Sequence, residues 1–104
     1  VRIEWSRYAL PDRDDIFDYI EAENPRATVI AAVIAAVIVD GRISTRLRRL
    51  EQFPRSGRPG RVTGTRELVI SGTPYIAAYR VADATVRILR ILHAAQLWPG
   101  DLPD

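Results

Sequence analysis

Cysteine and lysine are absent from the 104-residue chain, and histidine occurs once, at His93. Without cysteine there can be no disulfide framework, no thiolate nucleophile and no thiolate-bound zinc. Without lysine there is no Schiff-base chemistry and no lysine phosphate loop, so all 15 basic residues are arginine. One imidazole cannot build a histidine metal site, and no metal or cofactor is expected. Aromatic residues make up only 8% and none interleaves with the arginine cluster, which argues against a bare nucleic-acid-binding module. The longest apolar run, Ala27 to Val39, follows an acidic segment and is too short to span a bilayer as a helix. With no secretory signal visible, the chain reads as cytoplasmic, with no membrane partner.

The sequence is 47% hydrophobic and 27% charged, which suits one compact domain over residues 1–104 with a core that needs no staples. Net charge is only +2, but it is unevenly spread. Residues 1–25 hold seven acids against three arginines; residues 46–66 hold seven arginines against Glu51 alone. Such asymmetry points to a basic face able to meet nucleic acid or an acidic protein partner. A solvated face balanced by the acidic end would give the same count.

Val1-Arg2-Ile3-Glu4-Trp5 alternates apolar and charged residues, the period of a half-buried strand. From Tyr8 to Glu23 the spacing of Ile16, Phe17 and Ile20 is helical, and acids crowd the N-terminal half, where the helix dipole favours them. Asn24-Pro25 breaks that helix. The next segment, Ala27 to Ile38, consists of three near-identical tetrads: Ala-Thr-Val-Ile, then Ala-Ala-Val-Ile twice. On a helix each four-residue step lands about 40° further round, so the Val/Ile pairs form a slowly turning ridge with alanines opposite.

Helical period continues through Ile43, Leu47, Leu50 and Phe53, so one long helix is predicted, with Gly41 its weak point at roughly 1 kcal/mol. The ridge is read first as the buried side of a core helix, worth on the order of 10 kcal/mol before entropy is subtracted. Left exposed, it would be a sticky patch suited to a partner or a homodimer through residues 27–38.

Residues 54–64 carry every signal of a loop. Three strands are predicted after it: Thr65 to Ile70, Tyr75 to Val81, and Thr85 to His93, the last apolar on both faces. The element order is β-α-α-β-β-β. It predicts an α+β domain in which a helical hairpin, its second helix unusually long, packs on a mainly antiparallel four-stranded sheet.

Several segments together resemble the RelE/ParE superfamily of toxins from type II toxin–antitoxin pairs. They are Arg2-Ile3-Glu4-Trp5, Ile16-Phe17-Asp18-Tyr19-Ile20, Asn24-Pro25-Arg26-Ala27, Phe53-Pro54-x-x-Gly57-Arg58-Pro59-Gly60, Gly64-Thr65-Arg66-Glu67-Leu68, Tyr79-Arg80-Val81 and Ile88-Leu89-Arg90-Ile91-Leu92-His93. The likeness covers nearly the whole chain, in order. Only the tetrad run departs from it, as if one tetrad had been duplicated twice. The extra turns predict a second helix that either overruns the sheet or breaks near Gly41.

The resemblance implies one of two activities. RelE-like members are similar to ribosome-dependent endoribonucleases that cut messenger RNA; ParE-like members resemble the same fold used to bind and inhibit DNA gyrase. Cutting RNA requires a base, an acid and cations around the phosphorane. In the ribonuclease members an arginine sits three residues before the strand tyrosine; here the tyrosine matches Tyr79 and that position is Ile76. His93 ends the last strand, where ribonucleases of this look place a catalytic histidine. ParE-like chains also end it with Ile-Leu-His, and a lone histidine at a strand end is more often a hydrogen-bonding residue.

The ParE-like reading is preferred, with no favoured catalytic residue and no expected enzyme activity. The ribonuclease alternative would use His93, Arg66, Arg61 and Arg58 on the ribosome and its mRNA. Partner binding is assigned to Arg58, Arg61, Arg66, Arg80, Arg87, Arg90 and Trp98, with a cognate antitoxin and gyrase as partners. Bidentate pairing with antitoxin carboxylates would use these arginines, and ordinary cross-strand ion pairs are the plain alternative. Trp98 and Pro99 are predicted to fold back on the core.

Overall fold

The computed structural model describes residues 1–23, 26 and 28–103. Its elements are β1 (Arg2–Trp5), α1 (Ala9–Ala22), α2 (Val29–Arg48), a 3-10 turn (Arg49–Glu51), β2 (Arg58–Pro59), β3 (Arg66–Val69), β4 (Tyr75–Ala82) and β5 (Thr85–His93). The strands form one sheet in the order β1-β5-β4-β3-β2. Only the β1–β5 pair is parallel. The sheet therefore has five strands rather than four. The added one is a two-residue edge inside the expected loop, where Arg58 pairs with Glu67 and Pro59 with Arg66. Proline is tolerated there because an edge strand leaves one side of its backbone unpaired.

The sharp turn from β1 into α1 is tied down by buried Ser6. Its Oγ donates to the Leu89 carbonyl at 2.7 Å and accepts from the backbone N–H groups of Tyr8 and Ala9. α2 opens on Thr28, whose hydroxyl accepts from Ala31 N–H, satisfying one of the free donors of the first turn. The predicted break at Asn24-Pro25 lies outside the described residues, as does Ala27, the first residue of the tetrad run. The two helices are clamped by Arg13, whose Nε and Nη2 donate to both Asp40 oxygens at 2.6 and 2.9 Å. The Asp40 hydrogen bond and charge hold the Arg13 guanidinium above its ordinary pKa, against the opposing effect of burial.

The core lies between the hairpin and one face of the sheet. Ile16 and Ile20 from α1, with Val39, Ile43 and Leu47 from α2, pack on Leu68, Ile70, Tyr75, Ala77, Tyr79, Val86, Ile88 and Ile91. From α2, only residues from Val39 onward join this cluster. The β3–β4 turn sits beside the same point, where Arg42 Nη1 donates to the Gly72 carbonyl. Helix α2 has 20 residues against 14 in α1, and its first half runs past the part that packs on the sheet, contributing no residue to that core. Gly41 does not break it. Of the two outcomes expected for the extra tetrads, the overrun is the one observed.

The burial expected for the tetrads is reversed. Ala32 and Ala36 are the buried positions, whereas Val29, Ile30, Ile34, Val37 and Ile38 are 50–80% exposed. A helix that is apolar all round offers no polar side to keep out of the core, so the choice falls to fit. The small alanines allow a close approach that a branched ridge would prevent. Asp40, Arg42, Arg46 and Arg48 occupy the C-terminal half of α2. Among the described residues no helix is long and apolar enough to cross a membrane.

Candidate functional site

Alternation along the strands sorts the arginines. On β4, Tyr79 and Val81 face the helices, so Arg80 between them points to the outer face; on β5, Val86 and Ile88 do the same for Arg87. Glu67, next to helix-facing Leu68, is also on the outer face. This face is covered by the C-terminal tail, where Leu102 and Trp98 pack with Ala78, Leu89 and Val62. Trp98 thus folds back as predicted, its indole N–H donating to the His93 carbonyl at 3.3 Å.

At the centre is Glu67, 3% exposed. Its Oε2 accepts from the Arg61 backbone N–H at 2.8 Å and from Arg61 Nε at 3.1 Å, while Oε1 accepts from Arg58 Nη2 at 3.1 Å and Arg61 Nη2 at 3.3 Å. Burial pushes the carboxyl upward, but the hydrogen bonds from Arg61 and Arg58 outweigh it and hold the pKa below the usual glutamate value. The Arg61 guanidinium also lies 3.7 Å over the Trp98 ring, a cation–π contact. One carboxylate therefore fixes two arginines, and one of those arginines fixes the tail.

Glycine spacing in the 57–60 segment makes this possible. Gly57 N–H donates to the Tyr79 hydroxyl at 2.9 Å, and a Cβ at Gly57 would sit 2.6 Å from that oxygen and 2.8 Å from the Glu67 carbonyl. Gly60 lies equally close to Thr65. Gly57→Ala is expected to push the loop off β3, costing about 1–3 kcal/mol as an overpacking change. A chemical-denaturation midpoint equal to that of the parent chain would contradict this.

The other expected site residues lie elsewhere. Arg66 faces the helix side of the edge and braces the loop, its Nη1 donating to the carbonyls of Gly57 and Arg55 at 2.8 and 3.2 Å. Arg90 is locked onto α1 through a bidentate pair, Nε and Nη2 to Asp12 at 2.7 and 2.9 Å, and Asp12 also accepts from Ile91 N–H at 3.0 Å. Arg87 reaches Glu4 at 3.4 Å. The outer face thus collects Arg58, Arg61, Arg80, Arg87 and Trp98, but not Arg66 or Arg90.

His93 stands opposite Tyr75 and meets it edge-on, with ring centroids 5.6 Å apart. It lines a 440 Å³ cleft with Asp15, Ile16 and Tyr19 of α1, on the helix side of the sheet. Its Nδ1 accepts from Ala95 N–H at 3.0 Å, which leaves Nε2 as the proton-bearing nitrogen of the neutral ring. The four residues of the ribonuclease alternative are therefore split between faces. Register adds to the separation: Tyr75 lies opposite His93 and Tyr79 opposite Arg66, about 13 Å apart along β4.

On the arginine face Glu67 is held ionised; on the helix side, burial lifts the Tyr79 phenol above its ordinary value. Ile76, where the ribonucleases carry arginine, is buried. Among the described residues no group of three His, Cys, Asp or Glu side chains could hold a metal ion. The chemistry this surface offers is recognition of carboxylates or phosphates by guanidinium groups.

The organising acids, Glu67 and Asp12, were not singled out from sequence. For Glu67 the available signal was its place on a strand, opposite in facing to Leu68 and flanked by the arginine loop. Asp12 pairs with a residue 78 positions away and left no local signal.

Comparison with known proteins agrees with this architecture. The 45%-identical "Putative toxin Y4kP" of Sinorhizobium fredii aligns over 94% of this chain and 93% of its own length. "Toxin RelE2" of Caulobacter vibrioides is 38% identical, covering 92% of this chain and 98% of that protein. The solved structure of a chromosomal ParDE TA system from P. aeruginosa superposes with a TM-score of 0.76 at 28% identity, covering 89% of this chain and 95% of that one. The model of the ParE toxin of the type II toxin–antitoxin system parDE matches residues 3–98, and the chain belongs to that family.

Proposed function

We propose that this toxin acts by binding, that DNA gyrase is its target, and that a cognate antitoxin neutralises it through the arginine-bearing outer face and the tail. The observation that carries this reading is the separation of His93 from the loop arginines: the imidazole lies in the helix-side cleft, where the lining arginine, Arg90, is locked onto Asp12, while Arg58 and Arg61 are held on the opposite face by Glu67. A nuclease needs proton transfer and phosphate neutralisation at one phosphodiester. Membership of the ParE family and likeness to a ParDE structure favour the gyrase branch. The relative named Toxin RelE2 keeps the second reading, a ribosome-dependent mRNA endoribonuclease, as the competitor.

Induced expression in a bacterial host, with growth, a DNA-damage reporter and messenger-RNA integrity followed in one culture, separates the two. The expected result is growth arrest with a raised damage signal and intact messages. His93→Ala should keep most of the toxicity, because its Nδ1 bond only ties the start of the tail. Fragmented messages, an unchanged damage signal and a harmless His93→Ala variant would assign the protein to RNA cleavage.

A further inference from the structure

From the exposed ridge on the first half of α2 we infer a homodimer interface, in which a second copy of this chain packs ridge-into-groove against the first. The inference is independent of the toxin's target. Two parallel rows run along the outward side of the helix, each stepping by four residues: Ile30–Ile34–Ile38, and beside it Val33–Val37–Gly41. Every member except half-buried Val33 is exposed, and nothing stands within 4 Å of where a Cβ at Gly41 would be. Between Thr28 and Val39 there is no charged residue.

The occupant is argued from the pattern itself. A tetrad repeat makes each i±4 row uniform along its length, so the groove beside the Ile row, floored by the smaller Val33, Val37 and Gly41, can take the Ile row of another copy. Packing i±4 ridges of both helices together gives a crossing near −50°. A two-fold axis at Ile34 lets each copy present the same surface, as a closed dimer requires.

An acidic, partly disordered partner would find no charge along residues 29–38; the arginines nearest the ridge, Arg42, Arg46 and Arg49, stand only at its C-terminal end beside Ile38 and Gly41. At roughly 60–120 Å² per Val or Ile side chain, the patch is on the order of 400 Å². Two copies would bury about twice that, under the roughly 1,200 Å² of a standard stable interface. The dimer is therefore expected to be weak and concentration-dependent.

Sedimentation of the purified full chain across the micromolar range tests this. The expected result is a monomer–dimer equilibrium that Ile34→Glu shifts at least tenfold toward monomer with unchanged helical circular dichroism, since Ile34 is 53% exposed and outside the buried core. Because the chain has no cysteine, Ile34→Cys provides a second readout. Oxidation should trap a covalent dimer through position 34, while Leu97→Cys, on the 94% exposed tail residue, should not give one. A monomer at every concentration, or a dimer indifferent to Ile34→Glu, overturns the proposal. So does a monomer whose only use of this ridge is to bind a coexpressed antitoxin.

Discussion

Replacing Asp12 with alanine is expected to cost about 3 kcal/mol of folding stability, placing it among the costlier single side-chain losses. Its carboxylate is only 13% exposed and accepts three hydrogen bonds, two from Arg90 and one from the Ile91 backbone. Removing it leaves a guanidinium 27% exposed and a backbone N–H with no acceptor, at the seam where α1 meets β5. The Asp12 hydrogen bond holds the Arg90 pKa above its ordinary value, and without Asp12 the guanidinium is still too basic to relieve the loss by deprotonating. For a domain of this size about 3 kcal/mol corresponds to a fall in Tm of roughly 12–24 °C. Thermal unfolding measures it directly. Asp12→Asn, which keeps one acceptor oxygen, should recover part of the loss. A fall of less than about 4 °C for the alanine variant would show that α1 is held by apolar packing alone.

Glu67→Gln should cost about 1–3 kcal/mol at pH 7, less than a fully buried pair because Arg58 and Arg61 are 54% and 44% exposed and can rehydrate. Its second signature is in pH. The folded pKa of Glu67 lies below the ordinary value of about 4.5, so its contribution is fully present above that value and is lost as pH falls through the folded pKa. The stability gap between parent and Gln variant should therefore narrow on acidification below about pH 4.5. A third readout follows the tail. With Arg61 no longer oriented, Trp98 should lose its stacked guanidinium, and in a Trp5→Phe background its emission should shift to the red. A Gln variant with an unchanged pH profile and emission would mean that Glu67 does not organise the outer face.

Much of this architecture is local enough to be read in one dimension. β5 begins and ends at the predicted residues, and β1, β3, β4 and α1 lie within a residue or so of prediction. Their periods of two and 3.6 residues are imposed by backbone geometry wherever one side is buried. The two-residue β2 was not legible, because a pairing that short is made by Glu67 drawing Arg58 and Arg61 down onto β3 rather than by any strand-forming run. The facing of the tetrads was not legible either, since alanine and the branched residues are both apolar and only the proximity of α1 decides which side turns inward.

Sequence by itself determined the order of every element but β2, the position of the long apolar helix, the absence of thiol chemistry, and a set of motifs pointing to one toxin superfamily. Tertiary structure alone decided what each arginine does. Whether Arg90 meets a partner or Asp12, and whether Arg61 meets RNA or Glu67 and Trp98, depends on residues six to 78 positions apart arriving at one place. Charge counts carry no such distances. The energy of an ion pair depends on separation and on exclusion of water, and both are set only when the sheet, the hairpin and the tail have closed on one another.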